Sequence, residues 1–122
     1  MKSITKITNR DLLDILGDVK KEVQQIFGDK LRQLVLYGSY ARNEQEPESD
    51  IDIMIIVDEN EKELRKYRYI TADVMGELTI KYARLISLTE VAYNHYIAYL
   101  EVLPFYTNIY KDGVEIYGRE AA

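Results

Sequence analysis

Apolar residues recur at intervals of three and four positions along two stretches of this chain. The first stretch follows a capping residue, Thr8 or Asn9, and stops at Gly28, while the second runs from about Glu61 to Lys81. This spacing gathers the apolar side chains on one face of an α-helix. We therefore predict two amphipathic helices that pack against a sheet through these faces.

Short apolar runs between and after these helices indicate β-strands. Residues 34–37 and 51–57 have the largely apolar character of buried strands. The rest of the chain is predicted to contain a third strand at 83–88, a helix from a Thr89 cap to Leu100, a helix from Pro104 to about Gly113, and a closing strand at 114–117. Without an internal repeat or linker, this order predicts a single α/β domain over residues 1–122, in which helices cover a small sheet.

The composition is that of a compact domain with an acidic balance. Of the 122 residues, 47% are hydrophobic and 30% are charged, and the formal net charge is −5. This length is enough to bury a core, and the negative charge disfavours a nucleic-acid backbone as a partner.

Cysteine and histidine usage excludes several kinds of site. The chain has no cysteine and a single histidine, His95, so neither a disulfide framework nor a thiolate or histidine metal cluster is expected. No apolar stretch approaches the roughly 20 residues that a membrane helix needs, and the polar start of the chain lacks a secretory segment. We expect a cytoplasmic protein with no membrane association.

The most informative chemical feature is a glycine–serine pair followed, after ten residues, by two aspartates. Gly38 and Ser39 come directly after the first buried strand, and Asp50 and Asp52 stand at the start of the second. Gly38 has no side chain to keep a phosphate from the backbone, and a short helix from Ser39 to Arg42 would offer free amides to an anion. Asp50 and Asp52 leave their strand on one face, so their oxygens can bind one hard cation such as Mg2+. The spacing indicates a triphosphate site facing a metal site.

This order of Gly-Ser, ten residues and Asp-x-Asp resembles the signature of the DNA polymerase β-like nucleotidyltransferase superfamily. Within that superfamily, residues 36–42 and 49–57 look most like the small minimal nucleotidyltransferases of bacteria and archaea. Residues 103–109 and 111–117 resemble these proteins more loosely. The resemblance implies a single nucleotidyltransferase-fold domain with a mixed β-sheet covered by helices.

The resemblance also implies roles for individual residues. Asp50 and Asp52 would be the catalytic residues and the Mg2+ ligands, and Gly38 and Ser39 would contact the NTP, with ATP as the leading candidate. Arg42 is a further candidate for the nucleotide, although it could equally brace the local structure through an ion pair with Asp50 or a loop glutamate.

Many domains of this kind are implied to act beside a small helical HEPN protein as its antitoxin, and some transfer AMP to a tyrosine of that toxin. The leading expectation is therefore transfer of an NMP group to a protein acceptor. Transfer to a small hydroxylated compound is a weaker expectation, because the related aminoglycoside nucleotidyltransferases carry an additional domain.

One departure from the family pattern keeps other functions open. Active relatives generally provide a third carboxylate on a neighbouring strand, and the strand predicted at 83–88 has no acidic residue. Arg84 stands in that neighbourhood instead, while Asp73, Glu77 and Glu90 could substitute only if the fold aims them inward. Three hypotheses follow: an active nucleotidyltransferase, a catalytically silent nucleotide-binding module, and an antitoxin that keeps the fold only to bind its partner.

Tyrosines and basic residues of the second half admit structural explanations. Tyr93, Tyr96 and Tyr99, at three-residue intervals, are expected mainly in the core, with an interface to a second copy or to a toxin as the alternative. His95, which lies among them, is expected to be structural. The basic residues of 62–68 alternate with glutamates and are expected to form a solvated helix face.

Overall fold

The computed structural model describes residues 1–119, which form one mixed five-stranded sheet with helices on both faces. The strands are β1 (Lys2–Ser3), β2 (Leu31–Tyr37), β3 (Ile51–Val57), β4 (Ile86–Ala92) and β5 (Val114–Gly118). The helices are α1 (Arg10–Phe27), α2 (Glu61–Leu64), α3 (Arg68–Tyr82), α4 (Tyr93–Tyr99) and α5 (Pro104–Asp112). This architecture confirms the predicted α/β fold with a mixed sheet.

The strand order, β1-β5-β2-β3-β4, places the two motif-bearing strands side by side. β2 is antiparallel to both β3 and β5, whereas β4 runs parallel to β3 and β1 runs parallel to β5. Tyr37, the last residue of β2, pairs with Asp52 near the start of β3. The Gly-Ser pair and the two aspartates, separated by ten residues in the chain, therefore meet at one end of the sheet.

Each face of the sheet carries its own apolar core. On one face α1 and α3 cover alternate residues of β3, including Ile53 and Ile55. On the other face α4 and α5 cover Met54 and Ile56. The strand is buried on both sides, as the alternation of its side chains between two covered layers requires. Asp52 shares the face of Met54 and is the one residue of β3 that remains partly exposed.

The first predicted helix forms with the predicted cap and stop. Asn9 Oδ1 accepts a hydrogen bond from the Leu12 amide at 2.9 Å, and Gly28, at φ 54°, follows its last residue. The helix, α1, has 18 residues and buries one apolar side against the sheet. No helix within residues 1–119 is both long and apolar enough to cross a bilayer.

The third strand was predicted too early in the chain. β4 covers Ile86–Ala92 rather than 83–88, and the helix predicted to begin after Thr89 begins at Tyr93. All seven residues of β4 pair in register with the seven residues of β3. Because pairing along the whole buried strand outweighs a local capping preference, Thr89 stays in the sheet and its side chain does not cap a helix.

The prediction of a helix from Ser39 to Arg42 is also wrong. The chain instead makes a series of turns over residues 39–43, in which the amides of Ala41 and Arg42 donate to the Gly38 carbonyl at 3.1 and 3.3 Å. Positive φ angles at Gly38 and Asn43, of 76° and 56°, bound this segment and prevent a regular helix. Any anion bound here is held by turn amides, without a helix dipole.

The helix predicted at about 61–81 forms in pieces. α2 leads into a 3-10 turn at Arg65–Tyr67, and α3 then continues to Tyr82. Asn60 caps the first piece by accepting a hydrogen bond from the Glu63 amide at 2.8 Å. Lys66 and Glu63 form an exposed ion pair, which agrees with the predicted solvated face.

Candidate functional site

The site begins where the backbone of Gly38 contacts the side chain of Asp52. A Cβ atom added to Gly38 would lie 2.6 Å from Asp52 Oδ2, so no larger residue fits without displacing the carboxylate. Gly38 also has φ 76°, a conformation that favours glycine. The structure therefore joins the two halves of the sequence motif in one place and explains on two grounds why a glycine stands there.

Three neighbouring strands contribute one row of side chains beside this contact. Tyr37 of β2, Asp52 of β3 and Ser87 of β4 are paired across the sheet and share one face. The Tyr37 hydroxyl lies 3.5 Å from Thr89 Oγ1, one position further along the same face of β4. Ser87 and Thr89 were missed as neighbours of the site, because the strand boundaries predicted for β4 left its register unknown.

The two aspartates differ in exposure. Asp50 precedes β3 and is exposed, whereas Asp52 is partly buried beside Gly38. Burial raises the pKa of the Asp52 carboxyl, and the nearby negative charge of Asp50 raises this pKa further. A bound cation would reverse both effects, since it stabilises the charged form of each carboxylate.

The donors at this site suit a hard cation. Two carboxylates supply hard oxygen ligands, and Mg2+ commonly completes such a set with water and substrate phosphates. No group of three or more acidic, histidine or cysteine side chains within residues 1–119 is placed to hold a metal ion, so these two aspartates are the protein ligands to consider. The residues fit one cation shared with a phosphate-bearing ligand.

Three side-chain contacts stabilise the turn after β2 and the loop that follows it. Arg42 forms an exposed ion pair with Glu44 at 3.4 Å, which is the loop-glutamate contact that the sequence offered as one alternative. Ser49 Oγ accepts a hydrogen bond from the Glu46 amide at 2.8 Å and fixes the turn before Asp50. Lys2 Nζ donates to the Ala41 carbonyl, so β1 also supports the turn. The nucleotide roles of Ser39 and Arg42 stay predictions.

Arg84 does not occupy the position of a third carboxylate. It precedes β4, and its guanidinium donates to the Tyr40 hydroxyl at 2.6 Å. Because Tyr40 belongs to the core beneath the turn, Arg84 braces the turn from below. The β4 residue in register with Asp52 is Ser87, whose hydroxyl cannot replace a carboxylate as a charged ligand.

Glu90 lies in β4, contrary to the prediction, but on the wrong face for catalysis with Asp52. It pairs in register with Ile55, whose side chain belongs to the opposite core. Burial raises the pKa of the Glu90 carboxyl, while Thr71 and the guanidinium of Arg68 oppose that rise. The exposed Asp73 and Glu77 lie on α3, which covers the same opposite face.

Glu90→Gln is expected to stabilise the protein at neutral pH. A carboxyl whose pKa is raised by folding favours the folded state below its unfolded pKa, and this contribution is lost as pH rises through the folded pKa. The variant should therefore have a higher melting temperature than the wild type at pH 7, and the difference should shrink as the pH falls through the raised pKa of Glu90 and be nearly absent below about 4.5, the ordinary pKa of this carboxyl. Thermal denaturation followed by circular dichroism measures both values. A difference independent of pH would contradict this account of Glu90.

A small cavity opens beside Gly38 on the face covered by α5. It has a volume of about 260 Å³ and is lined mainly by Tyr37, Phe105 and Ile109, with Arg42, Asn108 and Asp112 as polar members. The Phe105 ring meets the Tyr37 ring edge to face, with centroids 5.7 Å apart. Phe105 remains half exposed. Its aromatic face is therefore available next to the turn.

The tyrosine stripe divides between core and surface. Tyr96 and Tyr106 are buried, whereas Tyr99 and Tyr110 are exposed. His95 contacts the Tyr106 hydroxyl through Nδ1 at 2.9 Å, which agrees with the structural role expected for it. Core packing thus accounts for part of the stripe, and the possibility of an interface rests on the exposed members.

A family model for the nucleotidyltransferase domain matches residues 16–117 of this chain. The matched range includes the Gly38 turn, both aspartates and Ser87. The chain therefore belongs to the nucleotidyltransferase domain family. This match confirms the predicted family and fold.

Several curated proteins from Methanocaldococcus jannaschii are similar in sequence to parts of this chain. MJ0141, provisionally named a protein adenylyltransferase, is 35% identical over 77 residues, which cover 63% of this chain and 76% of that protein. MJ0604, with the same provisional name, is 30% identical over 91 residues, covering 72% and 80% of the two chains. The match to MJ1379 is 45% identical over 53 residues and spans about half of that relative, 51%. The match to MJ0604, which covers 80% of that relative at 30% identity, places this chain in the same family as that relative.

Solved structures show the same fold at low sequence identity. A toxin–antitoxin complex crystallised with AMP-PNP contains a chain that matches 86% of this one over 74% of its own length, with a TM-score of 0.58 and 17% identity. The complex of a tri-AMPylated HEPN toxin with an MNT antitoxin from Shewanella oneidensis matches 89% of this chain and 73% of the other, with a TM-score of 0.53 and 15% identity. These matches establish the shared fold.

Proposed function

We propose that this chain binds Mg2+-ATP at the Gly38 turn and transfers AMP to a hydroxyl group of a protein acceptor. The acceptor would be a HEPN-type toxin, for which the chain would act as the antitoxin. The observation that carries this proposal is the contact between Gly38 and Asp52, with its 2.6 Å limit on any added side chain. That contact makes one site from a phosphate-accessible turn and a pair of carboxylates.

Each part of the site suits one part of a nucleoside triphosphate. The bare backbone of Gly38 allows close approach of phosphate oxygens, and the amides of Ser39 and Tyr40, which donate to no backbone carbonyl of the turn, are the donors that a phosphate would use. Asp50 and Asp52 would hold Mg2+, which supplies neutralisation of the phosphate charge when bound. Phe105 offers an exposed ring at the adjoining cavity, where a planar base could stack.

The reaction joins an acceptor oxygen to the α-phosphorus of ATP and breaks the bond from that phosphorus to the pyrophosphate oxygen. AMP stays on the acceptor, pyrophosphate leaves, and the hydroxyl proton passes to water. The chain's residues contribute mainly by aligning the triphosphate against the acceptor, which lowers the entropic part of the barrier. Within residues 1–119, no acidic side chain of β4 lies on the Asp52 face to take the proton.

The choice of ATP and of a protein acceptor is supported by the relatives. MJ0141 and MJ0604 are provisionally named protein adenylyltransferases. One fold neighbour belongs to a complex that contains AMP-PNP, and another to a complex whose HEPN toxin is AMPylated.

The test is to mix the purified protein with Mg2+, ATP and a HEPN-type protein encoded beside it, and then to measure the intact mass of each protein. The proposal expects the partner's mass to increase by one or more AMP groups, with the modified residue identified by peptide sequencing. Unmodified partner in the presence of demonstrated ATP binding would favour the second candidate function.

That second candidate is a nucleotide-binding antitoxin without catalysis, and Ser87 is the observation that favours it. Ser87 stands in register with Asp52 on the same face, where a hydroxyl replaces the carboxylate that active relatives are implied to use. The two candidates share the same nucleotide site and differ only in turnover.

Ser87→Asp is expected to increase AMP transfer by at least about tenfold, because it adds a carboxylate beside Asp52 that can bind a cation or accept the acceptor's proton. Initial rates with labelled ATP measure the change, and Ser87→Asn provides a control of matched size without the charge. Transfer by the Ser87→Asp variant alone would identify the natural chain as the silent module. Equal rates in the wild type and both variants would exclude a catalytic position at Ser87.

A further inference from the structure

We infer that the open edge of β4 is the docking groove for the acceptor, which binds there as an extended peptide segment with acidic residues alternating with hydroxyl-bearing ones. This inference rests on the proposed transfer to a protein acceptor and specifies how that acceptor would bind. The groove, called the β4 groove below, is a cavity of about 460 Å³ whose floor is the five consecutive residues 88–92. One wall carries Arg65 and Arg68, and the other carries His95 and Tyr106.

The edge of β4 presents unpaired backbone groups to this groove. β4 is the last strand of the sheet, and within residues 1–119 β3 is its one paired neighbour. The Ile51 amide donates to the Leu85 carbonyl at 2.9 Å, and parallel strands use alternate residues for such bonds. Continuing this alternation, β4 directs the amides of Leu88 and Glu90 away from β3. The Ile86 amide fits the same pattern, since it turns away from β3 and donates to Thr79 Oγ1 at 3.1 Å.

Such an edge is suited to addition of a strand from a partner. Main-chain hydrogen bonds provide the affinity in this mode of recognition, while the pockets on either face select alternate side chains. A floor of five residues accommodates an extended segment of similar length, about 15 Å. The partner is therefore expected to present a short extended segment, and a preformed helix would not fit.

The two faces of an added strand would meet different surroundings. On the face of α3, Arg65 and Arg68 are exposed, and neither has a carboxylate oxygen within 4.0 Å among the described residues. Glu61 in the same groove is 3.9 Å from His95 Nε2, and Glu90 is partly buried in the sheet. The Arg65 guanidinium has no carboxylate partner within this distance among residues 1–119, and the Arg68 guanidinium also acts electrostatically on Glu90, so the pair favours acidic side chains on this face of the peptide.

The opposite face of the added strand would point toward the catalytic carboxylate. A peptide residue that aligns with Thr89 would share the face of Asp52, two strand spacings away across the sheet, about 10 Å, and two residues further along it. A tyrosine side chain extending over the sheet from that position could bring its hydroxyl toward a nucleotide bound at Asp52. Alternation of acidic and tyrosine residues thus satisfies both faces at once.

A second copy of this chain is a less suitable occupant. Pairing of β4 with β4 about a two-fold axis would bring Arg65 and Arg68 of both copies to the same interface. Like charges placed opposite one another across an interface are unfavourable. The arginines therefore select against self-association through this edge.

The test measures amide hydrogen exchange of the full chain by NMR with and without a short peptide of alternating glutamate and tyrosine. Leu88 and Glu90 amides are expected to exchange at least about tenfold more slowly with the peptide, because they become hydrogen-bonded in the added strand. A peptide of alternating lysine and tyrosine should give no protection. Equal protection of these two amides by both peptides, or protection by neither peptide, would overturn the inference.

Charge reversal tests the role of the arginine wall. The variant Arg65→Glu with Arg68→Glu should weaken binding of the glutamate–tyrosine peptide at least about tenfold. Lys62→Glu with Lys66→Glu makes the same change in net charge on residues outside the groove and should leave binding nearly unchanged. Equal weakening in both variants would show a general charge effect and contradict the proposed groove.

The exchange measurement also separates this inference from the proposed function. It needs no turnover, so peptide-dependent protection without AMP transfer would retain the groove and reject catalysis. AMP transfer to a partner without protection of the Leu88 and Glu90 amides would retain catalysis and reject the groove. Amides already protected without peptide, in proportion to protein concentration, would show that a second copy covers the edge and would also overturn the inference.

Discussion

Replacement of Gly38 by alanine is expected to abolish measurable binding of Mg2+-ATP. The new methyl group would lie 2.6 Å from Asp52 Oδ2, so either the carboxylate or the turn must move. In addition, the φ angle of 76° is strained for alanine, which should lower the free energy of unfolding by about 1–3 kcal/mol. Isothermal titration calorimetry measures the binding, and urea denaturation measures the stability.

Gly28→Ala is the matched control for this variant. Gly28 also has a positive φ, 54°, but a Cβ atom there would meet no other atom within 4 Å. The control should therefore lose a similar amount of stability while binding Mg2+-ATP as the wild type does. Normal ATP affinity in Gly38→Ala would contradict the placement of the phosphates at this turn.

Replacement of both Asp50 and Asp52 by asparagine is expected to remove the magnesium dependence of ATP binding. Asparagine preserves the shape of each side chain but removes the negative charge that binds a hard cation. The affinity for ATP in the presence of Mg2+ should fall at least about 30-fold. Without Mg2+, the wild type and the variant should bind ATP with similar weak affinity.

The stability of the double variant provides an internal check. Because burial and the charge of Asp50 both raise the pKa of Asp52, the charged pair is unfavourable when no cation is bound. The variant should therefore be at least as stable as the wild type in EDTA. Asp73→Asn with Glu77→Gln makes the same charge change on exposed residues of α3 and should retain magnesium-dependent binding. Loss of binding in that control would indicate a general effect of net charge.

Local sequence signals were sufficient where local structure decides the outcome. The cap at Asn9, the stop at Gly28 and the α5 helix from Pro104 are recognisable because each depends on residues within a few positions. The meeting of Gly38 with Asp52 was also predictable, since the intervening segment returns the chain from one buried strand to its antiparallel neighbour.

Features that depend on long-range pairing were not predictable in the same way. The boundaries of β4 follow from its register with β3. Matching β4 to the seven-residue length of β3 was the one signal that could have placed Thr89 in the strand. That error concealed Ser87, which faces Asp52, and made Arg84 seem closer to the site than its contact with Tyr40 places it. The turn after Gly38 was mistaken for a helix because the positive φ of Asn43 leaves no clear mark in the sequence.

The most direct test of the central claim compares ATP labelled at the α-phosphate with ATP labelled at the γ-phosphate. Each is incubated with Mg2+, the protein and the protein encoded beside it, and labelled protein is then separated by electrophoresis. We expect label on the partner from the α-position only, and none when Asp50 and Asp52 are both asparagine. Label from the γ-position would show phosphoryl transfer instead, and α-label that persists in the asparagine variant would contradict the site described at Gly38 and Asp52.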